Sequence, residues 1–469
     1  MTDIMELDAL ALSRAVRSGS IGPVEVVNAA IRRIEAFNPH LNAVCTTAFD
    51  QALEAARRQE AQLARGEDPG PLAGVVLGVK DVIETGGIRT TYASPLFRDH
   101  VPKKDAIAVA RLKKAGAIVI GKTNTPEFAA GAHTFNALFG ATRNPWDPAR
   151  SPGGSSGGNA SALAAHMIQL AIGTDLGGSL RVPSAFCGGV GIRPTPGRVP
   201  AMPVPIADDR WQVTGPQART ARDVAAALDA LSGLSHDCPA SVPTFPVTPE
   251  LESFDLKGRR FAYCPDVARI GVEPEIAEIC EAASKTLARN GAEVEFIDLD
   301  LSAGREAFLV LRGHWILGQR YDRLDDISVF GENVANNIRL GLKYTVRDLA
   351  RADRVRTDLL KKLSRLHATY DVLLTPTAPV EPFPVEQNYP TEIAGKPMAT
   401  YIDWIAPTFL FSMLGCPAAS VPAGLTRRGL PVGLQIIGRR FEEGAVLAVA
   451  DAIQSHCPIG SPPLGKSKT

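Results

Sequence analysis

Long apolar runs are missing from this 469-residue chain. No stretch reaches the ~20 consecutive apolar residues that a membrane helix needs, so no membrane association is expected. A charge excess is missing too, with 50 Lys plus Arg against 50 Asp plus Glu. Without a positive field or a dense basic block, nucleic-acid binding is not expected. Paired cysteines are also absent. Cys45, Cys187, Cys238, Cys264, Cys280, Cys416 and Cys457 are scattered, with no CxxC spacing among them. An odd, dispersed set points to reduced thiols and a cytoplasmic location. None of the eight histidines belongs to an HExxH motif, so a zinc hydrolase finds no support and neither a metal nor a cofactor is expected. The N-terminal stretch Met1 to Asp8 is acidic and lacks the apolar core of a signal peptide.

What is present is ample core material: 45% of residues are apolar and 21% charged, the balance of a soluble globular chain. Residues 6–65 read as helices, from Glu6 to Arg17, from Pro23 to about Asn38-Pro39, and from Phe49 to Arg65. Pro23 suits a first helical turn, and Gly66 suits the end of one. Strand and helix then alternate. Gly74–Val79 and Ala117–Ile120 read as strands, and Asp105–Ala115 and Asn159–Ala171 as helices. Further strands are expected at Arg259–Cys264, Glu293–Ile297, Asp371–Thr375, Ala418–Pro422 and Leu430–Ile437. A helical excursion fills Ser302–His367, and a last helix covers Glu442–Ser455. This rhythm predicts an α/β fold, a large mixed sheet flanked by helices on both faces. One domain over 1–469 is expected: an N-terminal helical part (1–66), a core (67–235), a largely helical addition (236–400) and a return to the sheet (401–469).

Two motifs match by letter and fail by context. Gly116-Ala-Ile-Val-Ile-Gly121-Lys122-Thr123 fits the P-loop pattern. That pattern demands a loop whose amides wrap phosphates, whereas these intervening residues are a β-prone run. A P-loop nucleotide-binding protein is therefore the weakest alternative. Gly153-Gly154-Ser155-Ser156-Gly157 fits the GxSxG nucleophile elbow, which requires a strand directly before it. The preceding Asn144–Pro152 segment holds three prolines and cannot be a central strand. An elbow mechanism would also need a histidine, for which His166, His236, His314, His367 and His456 are available.

A different constellation carries more chemistry. Lys80 ends an apolar run that starts at Pro71, Ser155 follows 75 residues later, and Ser179 a further 24 residues on. A serine hydroxyl needs a nearby base to become a nucleophile. Burial disfavours an ammonium and would push the Lys80 pKa down toward a working base. The paired glycines before Ser179 let backbone amides approach a developing oxyanion.

These residues sit in Gly78-Val79-Lys80-Asp81, Gly121-Lys122-Thr123-Asn124, Pro152–Gly158, Gly173-Thr174-Asp175-Leu176-Gly177-Gly178-Ser179-Leu180-Arg181 and Gly429–Gly438. All of them together, in this order and spacing, resemble the amidase signature family over about residues 5–455. The resemblance implies a Ser–cisSer–Lys triad with Ser179 as nucleophile, Ser155 as the bridging serine in a cis peptide bond, and Lys80 as base. It also implies an oxyanion hole from the backbone N–H groups of Leu176, Gly177, Gly178 and Ser179. Asp175, Arg181 and Ser156 are expected to support the site by hydrogen bonds. Ala132-His133-Thr134-Phe135-Asn136 departs from the family pattern and is expected to change the site wall.

The expected activity is hydrolysis of a carbon–nitrogen amide bond through an acyl-enzyme, on a small-molecule substrate. A hydrophobic or aryl amide comes first, with carbamates, urethanes and esters as extensions. Met202, Tyr401, Trp404 and Phe409 are the candidate pocket residues. The alternative is the amidase component of a tRNA-dependent amidotransferase, a glutaminase with a partner subunit. Many members of the family are dimers, so a homodimer fits the resemblance.

Overall fold

The computed structural model describes residues 3–464. Helices α1 (Ala9–Arg17), α2 (Pro23–Leu41) and α3 (Phe49–Ala64) come first, with strand β1 (Val44–Thr47) between the last two. Strand β2 (Val76–Lys80), α4 (Ile107–Lys114) and β3 (Ile118–Thr123) follow. A short hairpin, β4 (Phe135–Asn136) and β5 (Gly140–Ala141), precedes α5 (Gly157–Ala164), β6 (Leu170–Asp175) and α6 (Arg181–Cys187). Then come β7 (Val190–Arg193), β8 (Val213–Ala218), α7 (Ala221–Leu231), α8 (Thr248–Ser253), β9 (Arg260–Tyr263), α9 (Pro274–Thr286) and β10 (Glu293–Phe296). The helical excursion is α10 (Gly304–Gln319), α11 (Glu332–Gly341) and α12 (Val346–His367). The chain closes with β11 (Val372–Pro376), a small pair β12 (Glu392–Ile393) and β13 (Lys396–Pro397), α13 (Ala406–Met413), β14 (Ala418–Leu425), β15 (Pro431–Ile437) and α14 (Glu443–His456).

Eleven of these strands form one mixed sheet in the order β1-β3-β2-β6-β8-β7-β14-β15-β11-β9-β10. β2 runs parallel to both β3 and β6, whereas β14 pairs antiparallel with β7 and β15. Both faces are covered, so the central strands are fully buried and read as apolar runs rather than as alternating patterns, while the edge strands β1 and β10 are partly exposed. Alternation still sorts the side chains between faces. Leu77 and Val79 enter the core packed under α7 and α14, while Val76 enters the core shared with α2, α3 and α5. Two-residue periodicity puts Lys80 on the Val76 face, on the side of α5.

The predicted fold class holds, while several element boundaries differ, two of them with a clear local cause. The helix expected over Asn159–Ala171 stops at Ala164, and His166 takes a left-handed φ of 55° that turns the chain. Residues 170–175 become a central strand instead. The alanine-rich sequence favours helix up to that turn, but the apolar run Leu170–Ile172 completes the sheet. Helix α2 continues through Pro39 to Leu41, where Asn42 caps it with φ 50°. Pro39 sits in the last turn, so only one intrahelical hydrogen bond is lost.

Candidate active site

Two adjacent sheet strands, β2 and β6, and the loop before α5 meet at Lys80. Its side chain is fully buried, with Nζ 2.7 Å from Ser155 Oγ and 3.1 Å from Thr174 Oγ1. Burial lowers the Lys80 pKa to about 7, and the negative charge of Asp175 opposes the shift only in part. Ser155 follows a cis peptide bond from Gly154 and is itself fully buried. Ser179 lies on the turn between β6 and α6, is only partly buried, and lines the same cavity as Ser155 and Thr174. The Ser156 amide, next to Ser155, donates to the Ser179 carbonyl at 3.1 Å and ties the two serine loops together. Sequence reasoning misses Thr174. Its one signal is a lone hydroxyl near the end of the apolar strand Leu170–Asp175.

The expected supporting role of Ser156 does not involve its hydroxyl, which is buried with no hydrogen-bond partner. It points at Gly173, where an added Cβ would come within 2.7 Å of Ser156 Oγ. The glycine there is a packing requirement, because the serine loop lies directly on β6. Ser156 contributes through its backbone.

Asp175 and Arg181 do hold the turn. Asp175 accepts from the Gly178 and Leu180 amides at 2.8 and 3.1 Å and from Arg181 Nε and Nη2 at 3.1 and 3.0 Å. The other Arg181 donors reach the Thr408 carbonyl (2.9 Å), Gln435 Oε1 (2.6 Å) and Ser412 Oγ (2.6 Å), so all five N–H groups are used. Gln435 explains why the distant Gly429–Gly438 segment belongs with the site. Burial alone would raise the Asp175 carboxyl pKa, but Arg181 and Arg193 hold it at about 2.

Of the four oxyanion donors expected, the structure removes one. The Gly178 N–H is taken by Asp175, whereas Leu176, Gly177 and Ser179 keep amides with no protein acceptor among the described residues. Gly178 matters through its backbone instead. Its φ is +126°, and a Cβ would come within 2.3 Å of Thr408 Oγ1.

Removing the Asp175 carboxylate leaves two buried guanidiniums uncompensated. Asp175→Ala should destabilise the fold by about 3–5 kcal/mol, and chemical denaturation would measure the loss. A cost under about 1 kcal/mol, the range of an exposed pair, would contradict this account of the turn.

The cavity above Ser179 spans about 480 Å³, part of it open solvent at its mouth. None of the four pocket candidates read from the sequence lines it. Trp404 is fully buried and stacks on Phe186 with ring centroids 5.8 Å apart. Phe409 stacks on Phe308 at 4.0 Å, behind the Gly177 backbone. Tyr401 is buried behind the wall, hydrogen-bonded to Arg312 and Asn337. Met202 lies outside the cavity, its carbonyl accepting from the Ile107 amide. Bulk drives Tyr401, Trp404 and Phe409 into the core before it can serve a pocket, whereas Met202 stays partly exposed.

The wall is built instead by Phe128, Ala129 and Ala130 and by one face of α10. Arg312, Trp315, Ile316, Gln319 and Arg320 all line the cavity. Their spacing of three and four residues is the stripe of a single helix face, a pattern legible in the sequence but hidden inside a long helical segment. The Ala132–Asn136 departure does not form this wall. His133 Nδ1 sits 2.6 Å from Ser151 Oγ and Nε2 sits 2.9 Å from the Val385 carbonyl. Burial holds the His133 pKa at about 4, so a neutral ring braces the loop leading to Ser155.

The two misleading motifs also resolve. Most of the P-loop match is strand β3, and Lys122 is fully buried, bonded to the Thr85 and Thr90 hydroxyls at 2.8 and 3.0 Å. No phosphate could reach it. Before Ser155 there is loop rather than strand, and no histidine lines the cavity. Neither the nucleotide-binding alternative nor the elbow survives.

Comparison with known proteins agrees with this geometry. The family model for amidases matches residues 25–447. The chain is 36% identical to a glutamyl-tRNA(Gln) amidotransferase subunit from Roseiflexus sp. (strain RS-1), over 97% of each chain. It is 35% identical to an acylamidase of Rhodococcus erythropolis, over 96% of each. Among solved structures, a bacterial aryl acylamidase of the amidase signature enzymes superposes with a TM-score of 0.89 at 29% identity, covering 96% of both chains. A 6-aminohexanoate cyclic dimer hydrolase gives 0.86 at 28%, over 98% of this chain and 99% of its own. With sequence, fold and family match in agreement, this chain belongs to the amidase signature family of amide hydrolases.

Proposed function

We propose that the protein is a free-standing amidase that hydrolyses a small amide with an apolar or aryl body through an acyl-enzyme on Ser179. The observation that carries the reading is the buried Lys80 amine 2.7 Å from Ser155 Oγ, on the floor of the cavity that Ser179 enters. Ser179 Oγ attacks the substrate carbonyl and passes its proton to Ser155 Oγ, whose own proton moves to neutral Lys80 Nζ. The free amides at Leu176, Gly177 and Ser179 receive the oxyanion, where each donor is worth roughly two to three orders of magnitude in rate. The tetrahedral intermediate collapses, the C–N bond breaks, and the amine leaves with the proton returned from Lys80 through Ser155. Water then attacks the acyl-enzyme by the same relay in reverse. Phe128, Leu176, Trp315, Ile316 and Val334 supply the apolar wall that favours an aryl or alkyl group.

The similarity to tRNA-dependent amidotransferase components motivates a second reading, glutaminase activity serving a partner. The cavity argues against it. Its lining holds two arginines and no carboxylate, so it has partners for the α-carboxylate of glutamine but none for its α-ammonium.

The test is a panel of anilides, aliphatic amides, carbamates, esters and glutamine, run with and without a chelator. Anilide turnover at least ~10-fold faster than glutamine turnover is expected, insensitive to chelator, together with a trapped acyl adduct on Ser179 by intact mass. Glutamine as the preferred substrate would overturn the free-standing reading in favour of the amidotransferase one.

A further inference from the structure

Four arginines are buried among the described residues: Arg181, Arg193, Arg198 and Arg312. Three of them meet a carboxylate. Arg181 and Arg193 pair with Asp175, and Arg198 pairs with Glu443. Arg312 is the exception. At 7% exposure its guanidinium touches only neutral acceptors, Asn337 Oδ1 at 2.5 Å and the Tyr401 hydroxyl at 2.7 Å. Two of its five N–H groups are thus occupied and three are left over. Leaving a guanidinium charge uncompensated in the interior is costly unless something else pairs with it.

Arg312 lines the cavity that holds Ser155 and Ser179. Two helical turns along α10, Arg320 lines the same cavity, stacked over the Phe128 ring at 3.8 Å with its own Nη1 donating to the Gln319 carbonyl. It makes no ion pair among the described residues. Two acidic groups sit close behind this wall. Glu127, whose negative charge acts on Arg320, accepts from Ser94 Oγ (2.6 Å) and the Gly331 amide (2.7 Å), and Asp209 accepts from the wall residues Trp315 Nε1 (2.8 Å) and Gln319 Nε2 (3.4 Å). Neither lines the cavity. The result is a cleft with Ser179 on its floor, two guanidiniums on one wall and no carboxylate among its lining residues, in which Arg312 has no ion-pair partner among the described residues.

We propose that the preferred substrates are amides bearing a carboxylate, with Arg312 as the anchor for that group and Arg320 adding a second positive charge. Asn337 and Tyr401 hold the Arg312 fork so that its remaining donors face the cleft, a geometry matched to the two oxygens of a carboxylate. This inference rests on the amidase reading of the same cavity and narrows its substrate class.

Matched substrate pairs test it. On the acyl side, succinyl, glutaryl and adipoyl monoanilides are compared with neutral acyl anilides of equal length. On the amine side, N-acetyl-4-aminobenzoate is compared with N-acetyl-4-methylaniline. In the wild type the carboxylated member of at least one series should have a kcat/KM roughly 10- to 100-fold higher, mostly through KM, as expected for a hydrogen-bonded charged contact. Raised salt should shrink that ratio only weakly, because the site is buried. Arg312→Met should bring the ratio toward one, and Arg312→Lys should keep part of it. A wild-type ratio near one in both series overturns the proposal, as does a preference that survives Arg312→Met. Should no anilide be hydrolysed, the amidase reading fails first, and calorimetry on Ser179→Ala decides the anion site separately. Tighter binding of a carboxylated anilide than of its neutral match supports the site, and equal binding refutes it.

Discussion

Ser179→Ala should lower amide hydrolysis by roughly 10⁴–10⁶-fold in kcat, with every amide, carbamate and ester affected alike. No other hydroxyl in the cavity can replace it. Ser155 is fully buried and already engaged with Lys80, and Thr174 is bonded to the same amine. The loss should appear without unfolding, since the Ser179 side chain makes no hydrogen bond among the described residues. Ser155→Ala and Lys80→Met should follow with losses of about 10²–10⁴-fold, the range for removing a general base or its relay. Combining them with Ser179→Ala should add little, because the three groups act as a unit. Steady-state kinetics and thermal melts on the same preparations separate chemistry from folding. Residual turnover in Ser179→Ala within about 10-fold of wild type, far short of the loss a nucleophile's removal brings, would rule out Ser179 in that role.

Acid should silence the enzyme by protonating its base. Only the neutral Lys80 amine can take a proton, and burial has brought its pKa to about 7. The logarithm of kcat/KM should therefore rise with unit slope below pH 7 and level off above it, so that pH 5 lies roughly 100-fold below the plateau. The same shift links to stability. In the unfolded chain Lys80 holds its proton up to about its ordinary value of 10.5, whereas the folded chain releases it near 7. Between those values the unfolded state binds more protons, so this group's contribution to stability increases as pH rises through the window. Below pH 7 both states are protonated, and the folded chain carries the full penalty of a buried ammonium. Lys80→Met should remove the rise in stability between about pH 7 and 10.5, even though it is inactive.

Lys80, Ser155 and Ser179 are legible in the sequence as one cluster because motif order and spacing tie them to a strand end, a loop and a turn. Asp175 and Arg181 are legible for the same reason, being part of the turn that they hold. What escapes depends on three-dimensional packing. Thr174 reaches Lys80 because β6 lies beside β2 in the sheet, a neighbour relation that sequence order does not give. The Ser156 hydroxyl looks like a donor in use, yet it faces Gly173 without a partner. One expected oxyanion donor fails because the same aspartate that shapes the turn consumes the Gly178 amide. Bulk makes Trp404 and Phe409 look like pocket residues, and the same bulk sends them into the core. Meanwhile the α10 stripe from Arg312 to Arg320 looks like an ordinary helix face, because charged stripes usually face water. Here the stripe faces a cleft, and only the packing of α10 against the Phe128 loop reveals it.

The mechanism stands on one protonation state, and that state can be observed directly. With lysines labelled at the side-chain nitrogen, the Lys80 resonance, identified by its loss in Lys80→Met, can be followed by NMR across pH. The account predicts an amine that titrates near pH 7 and is neutral by about pH 8.5. An ammonium that keeps its proton through about pH 9.5, as an ordinary lysine would, would contradict it.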